Sequence, residues 1–480
     1  MASRTVSATS LATLLGPSVA AGHPAYRSIA EALHRQISDG RVMLGTRLPS
    51  ERDLATALGV SRTTAARAYA QLRDERCIVT RRGAGSVASL PGGDLGRPLP
   101  SPAASVPDGE DVLDLTSAAL PAAPGVAAAY ERALEQLPRH LATTGYHPLG
   151  LPETRQAVAD WYAGRGLPTS PDQVVITSGA HAAFSLVLRA LLDPGDRVAL
   201  ETPTYCNAIT AIRHAHLRPV GVPMLPQAWD VEGWAAAMRQ SSPSLAYVIP
   251  DFQNPTGLLM DDETRERLAR ELDRSRTQLV VDETFVSLDL ADGPMPLPLA
   301  AHSPTAISIG GVSKAFWGGL RVGWLRAPAA EVAALVEARY SLDLGTPVLD
   351  QLTAGELLLD AGTVLSERRS LVRAQRDAVV EALRDRLPQW GFRVPRGGIN
   401  LWCELPQPRS SALVRAAERH GVWLSSGGRF GVEGGLEAYL RLPLVLPADE
   451  WPGAVERIAA AWAEALHDPL VTSRRVSLIA

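Results

Sequence analysis

ISIGGVSKAFWGGLRVGWL, residues 307–325, contains Lys314, the only lysine in a chain of 480 residues whose 46 other Lys-or-Arg side chains are all arginine. Arginine supplies charge, hydrogen bonds and solubility almost anywhere on a protein. One chemistry resists the exchange: a guanidinium stays protonated, whereas a lysine amine can lose its proton and condense with an aldehyde. A leftover surface charge in a lysine-poor chain is the ordinary alternative, and the neighbourhood decides between the two. The stretch reads as an apolar strand and then a loop holding Ser313 and Lys314 together, with Arg321 further along.

Upstream, QLVVDETF ends a second buried strand in Asp282, at the carboxyl end where ligands of open α/β sheets collect. An aldehyde cofactor that also bears a phosphate and a basic pyridine nitrogen asks four things of a protein. It needs an amine for the aldehyde, a carboxylate for the ring nitrogen, a cation with backbone donors for the phosphate, and a flat surface for the ring. Lys314 supplies the amine and Asp282 the carboxylate, while Arg321 and Ser313 suit phosphate oxygens. Ser178-Gly179-Ala180, where QVVIT turns into a helix, offer free N–H groups and the positive helix end. Tyr205 in ETPTYCN is a stacking face, and Asn254 in DFQNPTG is a donor for the ring's phenolic oxygen. Singly, each has an ordinary explanation as a cap, a turn or a helix start. Jointly, in this order around the sole lysine, they point to a site for such a cofactor.

Short apolar runs alternate with helix-like segments along most of the chain: QVVITSG then AHAAFSLVLRALL, RVALE, LAYVIP, TRERLARELDRS then TQLVVDE, AISIGG and LRVGWL. Buried strands alternating with helices predict an α/β body with a mostly parallel sheet covered on both faces. At 480 residues the chain exceeds a single core. Residues 91–112 carry five prolines and four glycines, which predicts an extended linker. Its 22 residues reach about 70 Å at roughly 3.1 Å each. The expected division is an N-terminal extension (1–22), a head (23–90), the linker (91–112), a body (113–470) and a tail (471–480).

The formal net charge of −4 conceals an asymmetry, because eleven arginines oppose six acids over residues 23–90, a local +5 that leaves −9 for the rest. A basic head on an acidic body predicts a nucleic-acid partner for the head alone. Cys77, Cys206 and Cys403 are odd in number and far apart, which argues against a disulfide framework or a metal site and for a reducing compartment. The apolar run Leu11 to Leu15 is closed by Gly16-Pro17 and is too short to span a membrane, so the expected location is the cytoplasm.

In the head, Tyr26, Ile29, Ala30, Leu33 and Ile37 fall at helical spacing between Pro24 and Gly40. LPSERDLATALGVSRTTAARAYAQLRDE then predicts two helices opened by Ser50, with Asp53 behind it, and by Ser61, with Gly59 in the turn between them. That is a helix-turn-helix whose second helix leads into the major groove with Ser61, Arg62, Thr63 and Thr64. IVTRRGAGSVAS follows as a hairpin wing with Gly83 and Gly85 at its tip and Arg81 and Arg82 beside them. Arg52, Arg62 and Arg82 sit where this architecture meets phosphates and base edges, whereas Arg35 and Arg73 read as solvated charges.

The stretch Tyr26 to Val87 resembles the GntR-type winged helix-turn-helix, on the string GTRLPSERDLATALGVSRTTAARAY. The resemblance implies DNA contacts by Arg52, Arg62, Thr63, Thr64 and the wing around Arg82-Gly83. Arg76 stands where the family turns through glycine, and Ala65-Ala66 replace bulkier residues. The first departure predicts a strained turn and the second an altered base readout.

From about Leu113 to Leu466 the chain resembles the fold-type I aminotransferases, which use pyridoxal 5'-phosphate on a mostly parallel sheet with a small α+β subdomain. The matching strings are GYHPLGLPETRQAVADWYAGRG, VVITSGAHAAF, ETPTY, NPTG, VVDETF, SKAFWGGLRVGW and YLRLPL. The resemblance implies that Lys314 takes the cofactor as a Schiff base and that Asp282 pairs with the pyridine nitrogen. It implies that Tyr146 of GYHPLG reaches the phosphate of a neighbouring subunit, hence a homodimer, and that Arg441 of YLRLPL clamps a ligand's carboxylate. Gly311 replaces a phosphate-binding Ser or Thr of many relatives, and Phe285 replaces a tyrosine that donates to the phenolic oxygen. His181 and Ser313 are the nearby polar groups that offset that loss in part.

A GntR-type reader joined by a Pro-rich linker to an aminotransferase-like body is the layout of the MocR-type transcription regulators. The resemblance implies a DNA-binding regulator that senses a small amino compound, or the cofactor itself, through exchange at Lys314. The alternative is an active aminotransferase with an accessory DNA-binding head.

Overall fold

The computed structural model describes residues 5–16, 19, 24–38, 42, 45–81, 85–89, 112–291 and 293–467. Arg82, Gly83, the linker up to residue 111 and the tail lie outside the described residues.

The head comprises helices α1 (Ala8–Leu15), α2 (Ala25–Ser38), α3 (Glu51–Leu58) and α4 (Arg62–Asp74), followed by the hairpin β1 (Ile78–Arg81) and β2 (Gly85–Ala88). Ser50 Oγ accepts from the Asp53 N–H at 3.2 Å and Ser61 Oγ from the Thr64 N–H at 3.0 Å, so each serine closes an open helix start. Gly59, at φ +66°, turns the chain between α3 and α4. Ile29, Ala30, Leu33 and Ile37 of α2 are buried against Tyr69 and Leu72 of α4.

Two readings of the head change. Residues 8–15, set outside it on sequence, form an amphipathic helix whose Leu11 and Leu15 join the head's core. Each such side chain contributes about 1.5–3 kcal/mol by leaving water. Ala65 is fully buried, so its small size serves close packing of α4, whereas Ala66 is half-buried. Arg76 adopts φ +58°, a left-handed conformation costing a side-chain-bearing residue about 1 kcal/mol.

The body opens with β3 (Leu113–Asp114). Then come β4 (Val174–Thr177), β5 (Arg197–Thr202), β6 (Arg218–Pro223), β7 (Leu245–Val248), β8 (Gln278–Asp282), β9 (Ile307–Gly311) and β10 (Gly323–Arg326). These seven form one sheet in the order β4-β10-β9-β8-β7-β5-β6, parallel throughout except for β10, which runs against both neighbours. Both faces are covered, as the unbroken apolar strands predict. Along β8, Leu279 and Val281 belong to one core cluster and Val280 to another, on opposite faces.

A smaller subdomain carries β11 (Gly391–Phe392), β12 (Asn400–Glu404), β13 (Val422–Trp423), β14 (Ser425–Ser426) and β15 (Tyr439–Pro443). Strands β11-β12-β15-β14 make an antiparallel sheet packed on helices Ala361–Arg386, Ser410–Arg419 and Trp451–His467. β13 pairs in parallel with β3, so the first described residues after the linker are tied to this subdomain. No described helix is long and apolar enough to cross a membrane.

Candidate functional site

Loops leaving the carboxyl ends of β5, β7, β8 and β9 and the start of helix Ala180–Leu191 converge on a cavity of about 450 Å³. Ala180, Tyr205, Asn254, Asp282, Ser313, Lys314, Arg321 and Arg441 all line it. Ser178 and Gly179 stand directly behind Arg321, whose Nη2 donates to the Ser178 carbonyl at 3.0 Å. Gly179, at φ +96°, leaves room for that guanidinium: an added Cβ would lie 2.7 Å from Nη2. Gly311 pairs with Gly323 across β9 and β10, and a Cβ there would lie 3.1 Å from the Val322 carbonyl oxygen. A side chain at 311 would need the backbone of β10 to give by a few tenths of an ångström.

Lys314 Nζ donates to the Ala118 carbonyl at 2.6 Å and lies 5.9 Å from the centre of the Phe285 ring. Burial, and then the charge of Arg441, push the amine down to about 8, against a smaller opposing pull from Asp282. Asp282 is held on both oxygens. Its Oδ1 accepts from the Thr284 N–H at 2.9 Å and from the Thr284 hydroxyl, and its Oδ2 accepts from the Tyr247 hydroxyl at 2.5 Å. Burial and the adjacent carboxylate hold the Tyr247 hydroxyl well above its ordinary value, so it remains a donor. The sequence reading missed Tyr247. Its signal was a lone phenol inside the otherwise apolar strand LAYV, a hydroxyl that needs a buried partner.

Asn254 Oδ1 accepts from Asn400 Nδ2 at 3.4 Å, which leaves its own amide nitrogen to donate. Beneath these loops the buried Glu201 accepts from Trp229 Nε1, the Ile249 N–H and Gln253 Nε2 at 2.6, 3.0 and 3.2 Å. It ties the ETPTY loop to the NPTG loop, and burial pushes it up to about 8. Tyr205 meets His181 edge to face at 6.3 Å. Burial and the charge of Arg321 lower His181, which keeps its ring neutral.

Arg441 is buried on β15, donates from Nη2 to the Thr116 carbonyl, and lies 4.9 Å from the centre of the Phe430 ring. Its Nε has no partner among the described residues. The sequence reading also missed Thr116, Ser117 and Ala118, together with Cys206 and Arg429, all of which line the cavity. Tyr146 is 65% exposed and outside the cavity formed by its own chain.

In the head, Arg52, Ser61, Arg62 and Thr63 are exposed and Thr64 is half-buried at the start of α4. All three cysteines are free. Although the sequence shows no ligand spacing, folding brings atoms of His34, Glu75 and Cys77 within 4.8 Å of one another. Burial pushes the Cys77 thiol up to about 12.

The residues fit the cofactor that this fold implies. A buried amine shifted toward neutrality, a carboxylate anchored by three donors, and a glycine-lined cradle beside Arg321 meet in one cavity. Comparison with known proteins agrees. The pattern of aminotransferase class I and II matches residues 110–458, and that of the gntR family of bacterial regulatory proteins matches residues 25–87. A 2-aminoadipate transaminase of Thermus thermophilus is 34% identical over 307 residues, covering 62% of this chain and 75% of that protein. An HTH-type transcriptional regulator of Bacillus subtilis, YdfD, is 25% identical over 445 residues, covering 87% and 92%. The "Probable rhizopine catabolism regulatory protein MocR" of Rhizobium meliloti is 30% identical over 328 residues, covering 64% and 66%. Among solved structures, the alpha-aminoadipate aminotransferase LysN of Thermus thermophilus superposes with a TM-score of 0.68 at 31% identity, over 74% of this chain and 93% of that one. With a cavity at the strand ends lined by Asp282, Lys314 and Arg321 and a capped helix-turn-helix before it, the chain belongs to the aminotransferase class I and II family, fused to a GntR-family head in the manner of the MocR-type regulators.

Proposed function

We propose that the chain is a homodimeric transcription regulator that depends on pyridoxal 5'-phosphate, with a body that binds a small amino compound and a head that reads an operator. One observation carries the reading. Lys314, which a ligand's amine would displace from the cofactor, and Arg441, assigned to the ligand's carboxylate, hold one short segment, Ala118 by its carbonyl at 2.6 Å and Thr116 by its carbonyl. That segment lies three residues past the linker, which joins the body to the head.

Ser178, Gly179, Ala180, Ser313 and Arg321 would hold the cofactor's phosphate, Asp282 its ring nitrogen, Asn254 its phenolic oxygen and Tyr205 its ring face. The exposed Tyr146 would reach the phosphate of a partner subunit. When bound, pyridoxal 5'-phosphate supplies an aldehyde that can pass from Lys314 to an incoming amine. Arg441 turns its bidentate fork to the incoming carboxylate and gives up the Thr116 carbonyl. Lys314 would donate to the Ala118 carbonyl as a free amine and not while the aldehyde takes it up, so its displacement changes how residues 116–118 are held. Ligand thus binds two arrangements of residues 116–118 with different affinity, which is the requirement for coupling to the head. Arg52, Ser61, Arg62, Thr63 and Thr64, with Arg82 and Gly83 of the wing, would contact DNA.

Catalytic transamination is the second reading, favoured by the 34% identity to a transaminase. Phe285 lines the cavity without a hydroxyl to offer the ring oxygen, which puts binding ahead of turnover. Footprinting decides the head: Arg62→Ala abolishes specific protection while leaving the cofactor's absorption band unchanged, and retained protection refutes the assignment. Sustained multiple turnover with a keto-acid acceptor refutes regulation as the primary role.

A further inference from the structure

Arg429 is a cation with no assigned task. It projects from the turn Gly427–Phe430, lines the cavity beside Arg441, and has no hydrogen bond or ion pair among the described residues. Its position is built. A Cβ on Gly427 would lie 2.1 Å from the Leu436 carbonyl oxygen, and one on Gly431 would lie 2.2 Å from that of Gly434, so glycines clamp both ends of the turn against residues 434–436. Phe430, between Arg429 and Arg441, is pinned by an edge-on contact with Trp402 at 5.6 Å.

Charge makes the second arginine conspicuous. Lys314, Arg321, Arg429 and Arg441 line the cavity against a single carboxylate, Asp282. On the reading proposed above, the cofactor's phosphate answers Arg321, its ring nitrogen answers Asp282, and Lys314 is taken up by the aldehyde. A ligand with one carboxylate answers one of the two remaining arginines. Asp114, an acid whose charge acts on Arg441, already accepts from the Thr116 N–H and hydroxyl at 2.8 and 2.6 Å. Neighbouring guanidinium groups in a confined cavity repel each other, and the Nε of Arg441 is buried without a partner.

We propose that Arg429 is a second carboxylate-binding residue, and that the ligand of this cavity is an amino acid with an acidic group at each end, an amino dicarboxylate. Arg441 takes the α-carboxylate and Arg429 the distal one. The inference rests on the reading of the body as an amino-compound sensor, and adds the ligand class.

The test titrates the cofactor-loaded full chain with L-glutamate, L-2-aminoadipate and L-glutamine, following the cofactor absorption band and operator binding. Glutamine is the same size as glutamate and lacks only the distal charge. At least one dicarboxylate should half-saturate at a concentration lower than glutamine by about tenfold or more, the discrimination of one charge-assisted bond. Arg429→Gln should bring that ratio close to one, and Arg429→Lys should restore part of it. Glutamine titration of each variant reports whether its cavity still forms. An unchanged ratio in Arg429→Gln, or a wild-type preference for glutamine, overturns the Arg429 assignment while leaving the sensing role intact. Should none of the three amino acids perturb the band or the operator complex, the amino-dicarboxylate assignment falls.

Discussion

The titration of Lys314 offers the most direct quantitative test of the site. The amine lies at about 8 where an ordinary lysine lies at 10.5, with burial the larger cause and Arg441 the next. A difference of that size corresponds to about 3 kcal/mol, at ~1.4 kcal/mol for each pH unit. At pH 7 roughly one Lys314 in ten is then neutral, against roughly one in three thousand for an exposed lysine. Only the neutral amine attacks an aldehyde. Cofactor-free protein mixed with excess pyridoxal 5'-phosphate should therefore take it up at a rate that climbs about tenfold per pH unit and levels off near pH 8. Borohydride reduction at intervals gives the rate, and peptide mapping locates the adduct. Arg441→Gln removes one of the charges that lower the amine and should move the break to higher pH. A wild-type rate that still climbs past pH 10 would refute the reasoning, because the amine would then be ordinary. Stability carries the same sign. The unfolded chain keeps this proton up to about 10.5 while the folded chain releases it near 8, so Lys314 makes the cofactor-free protein gain stability across that window and bear the full cost below it.

Tyr247→Phe removes the hydroxyl that donates to Asp282 at 2.5 Å and leaves a buried carboxylate oxygen short of a donor. Cofactor affinity should fall by about 10- to 100-fold, read by equilibrium titration of the absorption band, and an unchanged affinity would remove Tyr247 from the site. Leu11→Ala should destabilise the head by about 2–4 kcal/mol in denaturant unfolding, because Leu11 is fully buried in its core. A loss below about 0.5 kcal/mol would show that α1 is not part of the folded unit.

Much of the site was legible because its chemistry is local in the chain. Asp282 ends its strand, Ser313 and Lys314 share one loop, and the turn at Ser178-Gly179-Ala180 opens a helix, so strand ends alone bring them together. The capped helices of the head were legible for the same reason, since Ser50 and Ser61 bond to amides three residues away. Helix α1 was not. Its apolar run is short, and only the surface presented by α2 and α3 gives Leu11 and Leu15 somewhere to go. Arg429 was missed because an arginine in a glycine-rich turn is an ordinary surface residue until the turn folds over the cavity.

The sequence by itself determined the order of head and body, the α/β class and many of the residues that meet in the cavity, since caps, turns and strand ends are set by neighbours along the chain. Tertiary structure alone decided which groups meet across it. Tyr247 reaches Asp282 because β7 and β8 pair with Tyr247 opposite Val280. Lys314 reaches Ala118 because β3, just past the linker, pairs with β13 of the small subdomain. Buried donors take whatever acceptor the register sets before them, and that register is fixed by the packing of whole sheets, which no single stretch of sequence contains.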